Sequence, residues 1–296
     1  MKGERIGPYR LLAPLGRGGM GTVYRAEVQK TVAGLSAGTV VALKVIHAHL
    51  LETEGFFKRF LREAEIGQQV EHENVVRTYD CDALLVDGQQ KNFLVMEHVE
   101  GQTLRDLLDE LERVPEELCR HIGCEIARGL AAIHVAGVVH RDLKPENVLI
   151  TEDHRVKVMD LGVAHLADEA IRLSMTGHFV GSVEYAAPEQ FTGRGNGLDG
   201  RSDLYALGVV LYQMLVGRVP FQGTTPHAVL HDVIYEPPPP PRRINPNVSP
   251  ALESVILKAI AKRPEQRFQR GPELTKALRA ALAGQGTRVP TPPPPK

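Results

Sequence analysis

Apolar and polar residues follow two different periods along this chain, and the change falls near residue 100. Before it, short apolar or alternating runs predict β-strands over residues 11–14, 22–28, 40–46, 75–80 and 93–97. One amphipathic stretch interrupts them, because apolar residues recur at helical spacing over residues 56–66. After it, helical spacing dominates and predicts helices over residues 103–112, 116–136, 201–216, 226–234, 249–261 and 271–283.

These elements predict an α+β chain with two lobes. We expect a β-rich lobe with one helix over about residues 7–96, a hinge over 97–101, and a mainly helical lobe over about 102–283. A cleft between two such lobes is a usual place for a ligand. The proline run at 236–243 is predicted to be an extended loop that cannot be helical. The Gly- and Pro-rich residues 284–296 are predicted to be a disordered tail.

Composition and charge exclude some classes of protein but do not identify one. A chain of 296 residues with 43% hydrophobic content can bury a large core. The net charge of −1 gives no electrostatic reason to expect binding to nucleic acid or to an anionic membrane. No uninterrupted apolar run is long enough to span a membrane, and no secretory signal follows Met1. Cys81, Cys119 and Cys124 lack metal-ligand spacing, so we expect free thiols in a reducing cytoplasm.

The most informative stretch is residues 137–147, which read GVVHRDLKPEN. It places the acid Asp142 close to the cation Lys144 and the carboxamide of Asn147. An acid can orient and deprotonate a hydroxyl, a cation can neutralise charge on a moving phosphoryl group, and an amide oxygen can bind a metal. The stretch therefore predicts phosphoryl transfer to a hydroxyl.

A glycine-rich stretch, GRGGMGTV at residues 16–23, has Gly16, Gly18 and Gly21 in the spacing of a phosphate-binding loop. A dinucleotide-binding turn has the same glycines, but it follows a strand and opens a helix. Here a β-prone, alternating run follows, beginning at Thr22. Glycines between two strands favour a hairpin that can lie over phosphates with no side chain in the way.

Lys44 lies inside the apolar run VVALKVI at residues 40–46. A buried ammonium is costly unless it pairs with an acid or binds an anion, whereas a lysine at a strand end can extend to water. The predicted helix at 56–66 offers two acids. Glu63 and Glu65 point about 200° apart around that helix, so only one of them can face Lys44. The Arg-Glu-Ala run at 62–64 resembles a motif of protein kinases, and that resemblance implies Glu63 as the partner.

Together these segments resemble the catalytic domain of bacterial eukaryotic-like (Hanks-type) serine/threonine protein kinases. The string HRDLKPEN at 140–147 resembles the catalytic loop, DLG at 160–162 the Asp-Phe-Gly motif, and APE at 187–189 the Ala-Pro-Glu motif. The resemblance covers about residues 7–283. It implies the bilobal protein-kinase-like fold and transfer of the γ-phosphoryl group of ATP to serine and threonine hydroxyls of protein substrates. Leu161 departs from the commoner phenylalanine.

The resemblance also implies a role for individual residues. The catalytic set would be Asp142, Lys144, Lys44 and Glu63. The residues that hold ATP would be Gly16, Gly18, Gly21, Val23, Ala42, Lys44, Glu97, Val99 and Leu149. Asn147 and Asp160 would bind Mg²⁺ or Mn²⁺. Glu189 would pair with Arg267 in the interior, and Asp203 would brace the catalytic loop.

Regulation is implied as well. Arg141, next to the catalytic acid, would receive a phosphate carried by Thr176 or Ser174, while Ser182 would serve the active site. Such autophosphorylation in trans would bring two copies together as a homodimer. Two other readings are a nucleotide-binding pseudokinase scaffold and a small-molecule phosphotransferase, but every catalytic residue is present and APE favours a protein substrate. Bacterial relatives often continue into a membrane span, so the chain would be cytoplasmic, alone or within a longer membrane-anchored protein.

Overall fold

The computed structural model describes residues 4–19, 21–51, 56–86, 88–160, 183–192 and 198–283, with backbone only at 51, 56–59, 62 and 63. The first part of the chain forms a six-stranded antiparallel sheet in the order β1-β2-β3-β4-β6-β5. Its strands are β1 (Arg5–Ile6), β2 (Tyr9–Arg17), β3 (Gly21–Val28), β4 (Val40–Ile46), β5 (Thr78–Val86) and β6 (Gln89–Glu97). Two helices, α1 (Ala48–Leu51) and α2 (Phe56–Gln69), connect β4 to β5.

Strand β4 shows how the sheet divides its two faces. Val41 and Leu43 are fully buried in one apolar cluster with Phe93. Side chains alternate along a strand, so Ala42 and Lys44 lie on the opposite face, the same face that packs against α2. This alternation leaves one lysine on the concave side of an otherwise apolar strand.

The second part is mainly helical. Its helices are α3 (Leu104–Glu110), α4 (Glu116–Val135), α5 (Gly200–Val216), α6 (Pro226–Tyr235), α7 (Pro241–Ile244), α8 (Pro250–Ala259) and α9 (Gly271–Ala283). A small sheet, β7 (Gly101–Thr103), β8 (Val148–Thr151) and β9 (Val156–Val158), lies beside them. Helix α5 is buried almost along its whole length, because apolar residues occupy every side of it. It forms the centre of the lobe, and its first turn supports the site described below.

The predicted two-lobed α+β fold is confirmed, with differences at particular elements. The predicted strand at 75–80 lies at 78–86, since β5 pairs with β6 from Thr78 through Val86 opposite Gln89. The proline run was predicted to exclude helix, and that prediction is wrong at its end, where α7 begins at Pro241. Proline is tolerated in a first helical turn because the fixed φ fits and no N–H partner is needed there. No helix within the described ranges is long and apolar enough to span a membrane.

Candidate active site

Two ion pairs connect the lobes across the cleft. The ammonium of Lys44 on β4 lies 2.6 Å from Oδ1 of Asp160, which follows β9. The ammonium of Lys157 on β9 lies 3.0 Å from the carboxylate of Glu97 at the end of β6. Only 11% of the Lys44 side chain is exposed, so its charge is partly shielded from water and depends on this anion. The simple alternative of a lysine extending into solvent therefore does not hold.

Two of the predicted catalytic residues, Asp142 and Lys144, form one cluster with the predicted metal ligand Asn147. Lys144 Nζ lies 3.0 Å and 2.8 Å from the two carboxylate oxygens of Asp142. The amide nitrogen of Asn147 donates to the backbone carbonyl of Asp142 at 2.7 Å and to its Oδ2 at 3.0 Å. These bonds hold the carboxylate in one orientation, while 16% of the Asp142 side chain stays exposed. A hydroxyl that approaches from the cleft can reach it.

A buried carboxylate on α5 holds the start of the catalytic loop. Asp203 is 1% exposed, and it accepts hydrogen bonds from the backbone N–H groups of His140 and Arg141, both at 2.8 Å. Nε2 of His134 lies 2.7 Å from the same carboxylate. Arg141 has φ +66°, a conformation that an L-residue adopts at a cost. Asp203 therefore stabilises a strained backbone immediately before Asp142, as predicted.

Backbone hydrogen bonds place the metal-binding candidates side by side. The N–H of Met159 donates to the carbonyl of Asn147 at 2.9 Å, and Nε2 of His140 lies 3.0 Å from the carbonyl of Met159. Asp160 follows directly, with φ +57°. The catalytic loop thus fixes the strand end that carries Asp160. Hydrogen bonds at both the N–H and the carbonyl of Met159 therefore connect the catalytic loop to the segment that carries Asp160.

The glycine-rich stretch forms a hairpin between β2 and β3, with the Gly18 N–H bonded to the Gly21 carbonyl at 2.9 Å. A Cβ atom built at Gly16 or Gly18 would meet no atom within 4 Å. Nothing in the described part of the chain therefore requires glycine there, whereas a ligand that approaches the backbone closely would. Gly21 differs, because its Cβ would lie 2.2 Å from the Val45 carbonyl in the sheet.

Three of the residues predicted to hold the nucleotide base, Val23, Ala42 and Leu149, lie on strands of the two lobes. Val23 on β3 lies opposite Lys44 in the strand register, and Ala42 shares that face. On the other lobe, Leu149 lies opposite Lys157 in the register of β8 and β9, and Lys157 reaches the hinge.

The predicted hinge begins at Glu97, whose N–H donates to the Arg77 carbonyl at 2.8 Å. Outside the helices and strands of the described ranges, Val99 forms no backbone hydrogen bond. The contact of Glu97 and Val99 with adenine stays a prediction.

The donor set fits a hard divalent cation. Asp160 supplies a carboxylate, and Asn147 uses its amide nitrogen for Asp142, which leaves its amide oxygen for a metal. The described part of the chain contains no cluster of three His, Cys, Asp or Glu residues that could hold a metal alone. A magnesium ion in a kinase takes the remaining ligands from phosphate oxygens and water, so a two-residue protein set suffices.

Several predicted residues lie outside what the structure describes. The backbone of Glu63 is within α2, but its side chain is not described, so its pairing with Lys44 stays a prediction. Ser174, Thr176 and Ser182 lie outside the described residues. Arg141 is described, and its buried Nε and Nη1 atoms have no hydrogen-bond partner among the described residues. Such a guanidinium can accept an anion.

The APE segment is fastened to the helical core. Arg267 has a fully buried side chain that donates to both carboxylate oxygens of Glu189, at 2.6 Å and 2.7 Å. All three guanidinium nitrogens also donate to backbone carbonyls, and Nε donates to that of Ala261 at 2.7 Å. The predicted Glu189–Arg267 pair is confirmed, and it fastens the APE segment to the helical core.

Two contributors were missed by the sequence analysis. His134 contacts Asp203, although 69 residues separate them. Arg105 on α3 bonds to Glu146 in the catalytic loop and to Tyr185 in the APE segment. Neither residue belongs to a motif, and their partners are set by helix packing. The only available signal was the placement of a histidine and an arginine on predicted helices near the catalytic loop.

Comparison with known proteins agrees with this geometry. The sequence profile of the protein kinase domain family matches residues 9–279, and the chain belongs to that family. It is 42% identical over 287 residues to the serine/threonine-protein kinase Pkn1 of Myxococcus xanthus, and 37% identical over 280 residues to a probable serine/threonine-protein kinase of Streptomyces coelicolor. The crystal structure of the Mycobacterium tuberculosis PknI kinase domain superposes with a TM-score of 0.72 at 25% identity, covering 95% of this chain and 99% of that one.

The curated relatives are longer than this chain. The matches cover 95% and 94% of the chain, but 39% of Pkn1 and 40% of the Streptomyces coelicolor protein. The similarity therefore concerns the kinase domain of these proteins. The assignment of this chain to its fold and its family rests on this domain alone.

Proposed function

We propose that this domain transfers the γ-phosphoryl group of ATP to serine and threonine hydroxyls of proteins. The observation that carries the proposal is the cluster in which Lys144 and Asn147 both contact the carboxylate of Asp142. That cluster is joined through Met159 to the segment that carries Asp160. Base, cation and metal ligands thus meet at one point of the cleft, as phosphoryl transfer to a hydroxyl requires.

Each side chain has a distinct task in this reaction. Asp142 orients the acceptor hydroxyl toward the γ-phosphorus and takes its proton, which is general-base catalysis. Lys144 neutralises charge that develops on the moving phosphoryl group. Lys44, whose ammonium lies 2.6 Å from Asp160, would bind the α- and β-phosphates of ATP. The glycine hairpin lets its backbone approach the phosphates.

A divalent cation completes the charge balance. Asp160 and Asn147 would hold Mg²⁺ or Mn²⁺, and the ion would supply positive charge against the phosphates of ATP. The ammonium of Lys44 lies 2.6 Å from the carboxylate of Asp160, so this carboxylate already interacts with one cation.

Transfer to a generic acceptor protein tests the proposal. The protein is incubated with γ-labelled ATP, Mg²⁺ and casein, and the labelled residues are mapped by mass spectrometry. We expect label on serine and threonine but not on tyrosine, and its loss in Lys44→Met because the phosphates are then misplaced. Label on tyrosine, or an unlabelled acceptor with intact wild type, would contradict the proposal.

We also propose that Arg141 receives an activating phosphate. Its Nε and Nη1 atoms have no hydrogen-bond partner among the described residues and suit a phosphate, whose charge of about −1.5 to −2 can order a segment against arginine. Thr176 is the first candidate and Ser174 the second. Intact mass and peptide mapping after incubation with ATP should find phosphate there. If Ser174→Ala, Thr176→Ala matched wild type in specific activity, this regulation would be wrong.

Transfer in trans and a cytoplasmic location complete the proposal. If one copy phosphorylates another through a homodimer, the initial rate per molecule rises with protein concentration. Dilution over a hundredfold range tests this point, because transfer within one molecule is independent of concentration. The three cysteines are free in the structure, as a reducing compartment that supplies ATP would keep them.

A further inference from the structure

The guanidinium of Arg105 lies between the catalytic loop and the APE segment. Its Nε donates to Oε1 of Glu146 at 3.0 Å, and its Nη2 donates to the hydroxyl of Tyr185 at 3.0 Å. Its Nη1 lies 3.7 Å from Oδ1 of Asp109 on the same helix. Glu146 belongs to the turn that also carries Asn147. One planar group therefore contacts two segments that are separate in sequence.

Tyr185 is held firmly at its end of this bridge. Its hydroxyl donates to Oε1 of Gln213 on α5 at 2.6 Å, and both side chains are more than nine-tenths buried. Burial raises the pKa of Tyr185 to about 12, so the hydroxyl keeps its proton. The proton goes to Gln213 and the lone pair accepts from Arg105. The bridge thus ends on the most buried helix of the lobe.

The second described side-chain contact between these segments is weaker. The amide nitrogen of Gln190 lies 3.4 Å from the carbonyl of Arg141, near the upper limit for a hydrogen bond. The Arg105 contacts are shorter, at 3.0 Å each, although 46% of the Glu146 side chain is exposed, so water screens the charges of that pair. Among the described residues, the Arg105 bridge is the shorter of the two side-chain connections between the loop and residues 183–192.

We propose that Arg105 is a positioning residue that sets the distance between Asp142 and the protein acceptor. The proposal rests on the proposed function and deepens it. Residues 183–192 are held to the helical core by the Glu189–Arg267 pair, and under the proposed function they would support the acceptor chain, while Glu146 lies on the loop that carries Asp142. Among the described residues, the side-chain partners of Arg105 are Glu146, Tyr185 and Asp109, none of which is a candidate for ATP or metal binding. The effect of Arg105 should thus concern the protein acceptor only.

The test compares two acceptors of the same phosphoryl group. With casein as acceptor, Arg105→Met should lower kcat/KM by about tenfold or more, because a displacement of about 1 Å can cost a hundredfold in rate. With water as acceptor, ATP hydrolysis and the KM for ATP should stay within twofold of wild type. Arg105→Lys keeps the positive charge but lacks the planar guanidinium that donates to Glu146 and Tyr185 at once, so we expect an intermediate loss of kcat/KM.

A double-mutant cycle separates positioning from general damage. Tyr185→Phe should also lower kcat/KM for casein, and the double variant should be no worse than the poorer single variant, since both remove the same bridge. Arg155→Met is the matched control, because Arg155 forms an exposed ion pair with Asp153 away from the loop. It should leave both acceptors unchanged.

The outcomes distinguish this proposal from the proposed function. A wild type that transfers no phosphate to casein would contradict the proposed function itself. An active wild type with Arg105→Met and Arg105→Lys at wild-type kcat/KM would overturn the positioning role alone. Equal losses with casein and with water, or losses that multiply in the double variant, would also overturn it, because they show general damage.

Discussion

Replacing Asp203 by asparagine should release the catalytic loop while the protein still folds. The carboxylate accepts from two backbone N–H groups at 2.8 Å and contacts His134 at 2.7 Å, at 1% exposure. Asparagine has the same shape but a single acceptor oxygen. Its NH₂ group would therefore face a donor, and one N–H of His140 or Arg141 would lose its partner.

The expected loss of stability follows from the two backbone hydrogen bonds to Asp203 and from the backbone strain at Arg141 that they offset. A hydrogen bond to a charged group contributes about 1.5–3 kcal/mol, so the pair contributes about 3–6 kcal/mol. The positive φ of Arg141, +66°, costs about 1–2 kcal/mol, which the pair exceeds. Asparagine retains one neutral bond of about 1 kcal/mol and leaves a buried N–H that costs about 1–3 kcal/mol. The strain is then no longer offset.

Two assays measure the result. Urea unfolding should show a loss of about 3–5 kcal/mol in Asp203→Asn, and kcat for protein phosphorylation should fall about a hundredfold because Asp142 is displaced. Asp199→Asn is the control, since Asp199 caps the same helix but is half exposed, and asparagine caps equally well. Turnover within threefold of wild type and a stability loss below about 1 kcal/mol in Asp203→Asn would refute the reasoning.

Three further predictions concern the hairpin, the interior ion pair and the metal. Gly18→Ala should keep the wild-type Tm and raise the KM for ATP, whereas Gly21→Ala should lower the Tm, because its Cβ would lie 2.2 Å from a carbonyl of β4. In urea unfolding, Arg267→Met should lower the free energy of unfolding by about 3–5 kcal/mol, because it leaves the buried carboxylate of Glu189 unpaired. The control Arg155→Met should lower it by at most about 1 kcal/mol. Equal losses in the two variants would contradict this prediction. In a thermal-shift titration, Asp160→Asn should lose the Mg²⁺-dependent part of the shift caused by ATP, and an unchanged shift would contradict the metal assignment.

The chemical residues could be predicted from sequence because they lie in short contiguous strings. Asp142, Lys144 and Asn147 lie on one tight loop, so their spacing almost determines that they meet, and they do. The glycine hairpin followed from local β-propensity after Gly21. The fold class followed from the change of period near residue 100, since strands and helices need different apolar spacing.

The connections between segments could not be predicted in the same way. The contact of His134 with Asp203 and the bridge through Arg105 depend on how α4, α3 and α5 pack, and packing geometry is not a local property. The direct pairing of Lys44 with Asp160 was also not foreseen, because each was expected to serve the nucleotide or the metal. The error at Pro241 came from treating a proline run as uniform, although a proline can begin a helix.

The most direct test of the central claim is a single-turnover comparison of Asp142→Asn with wild type. The change keeps the shape of the side chain and removes the base, while Lys144, Asn147 and the Lys44–Asp160 pair remain. We measure the rate of γ-phosphoryl transfer to a protein acceptor at saturating Mg²⁺ and ATP, together with the Kd for ATP. The account predicts an unchanged Kd and a rate lower by roughly 10²–10⁴-fold, the usual contribution of a general base. A rate close to that of wild type would contradict the assignment of Asp142 and the mechanism built on it.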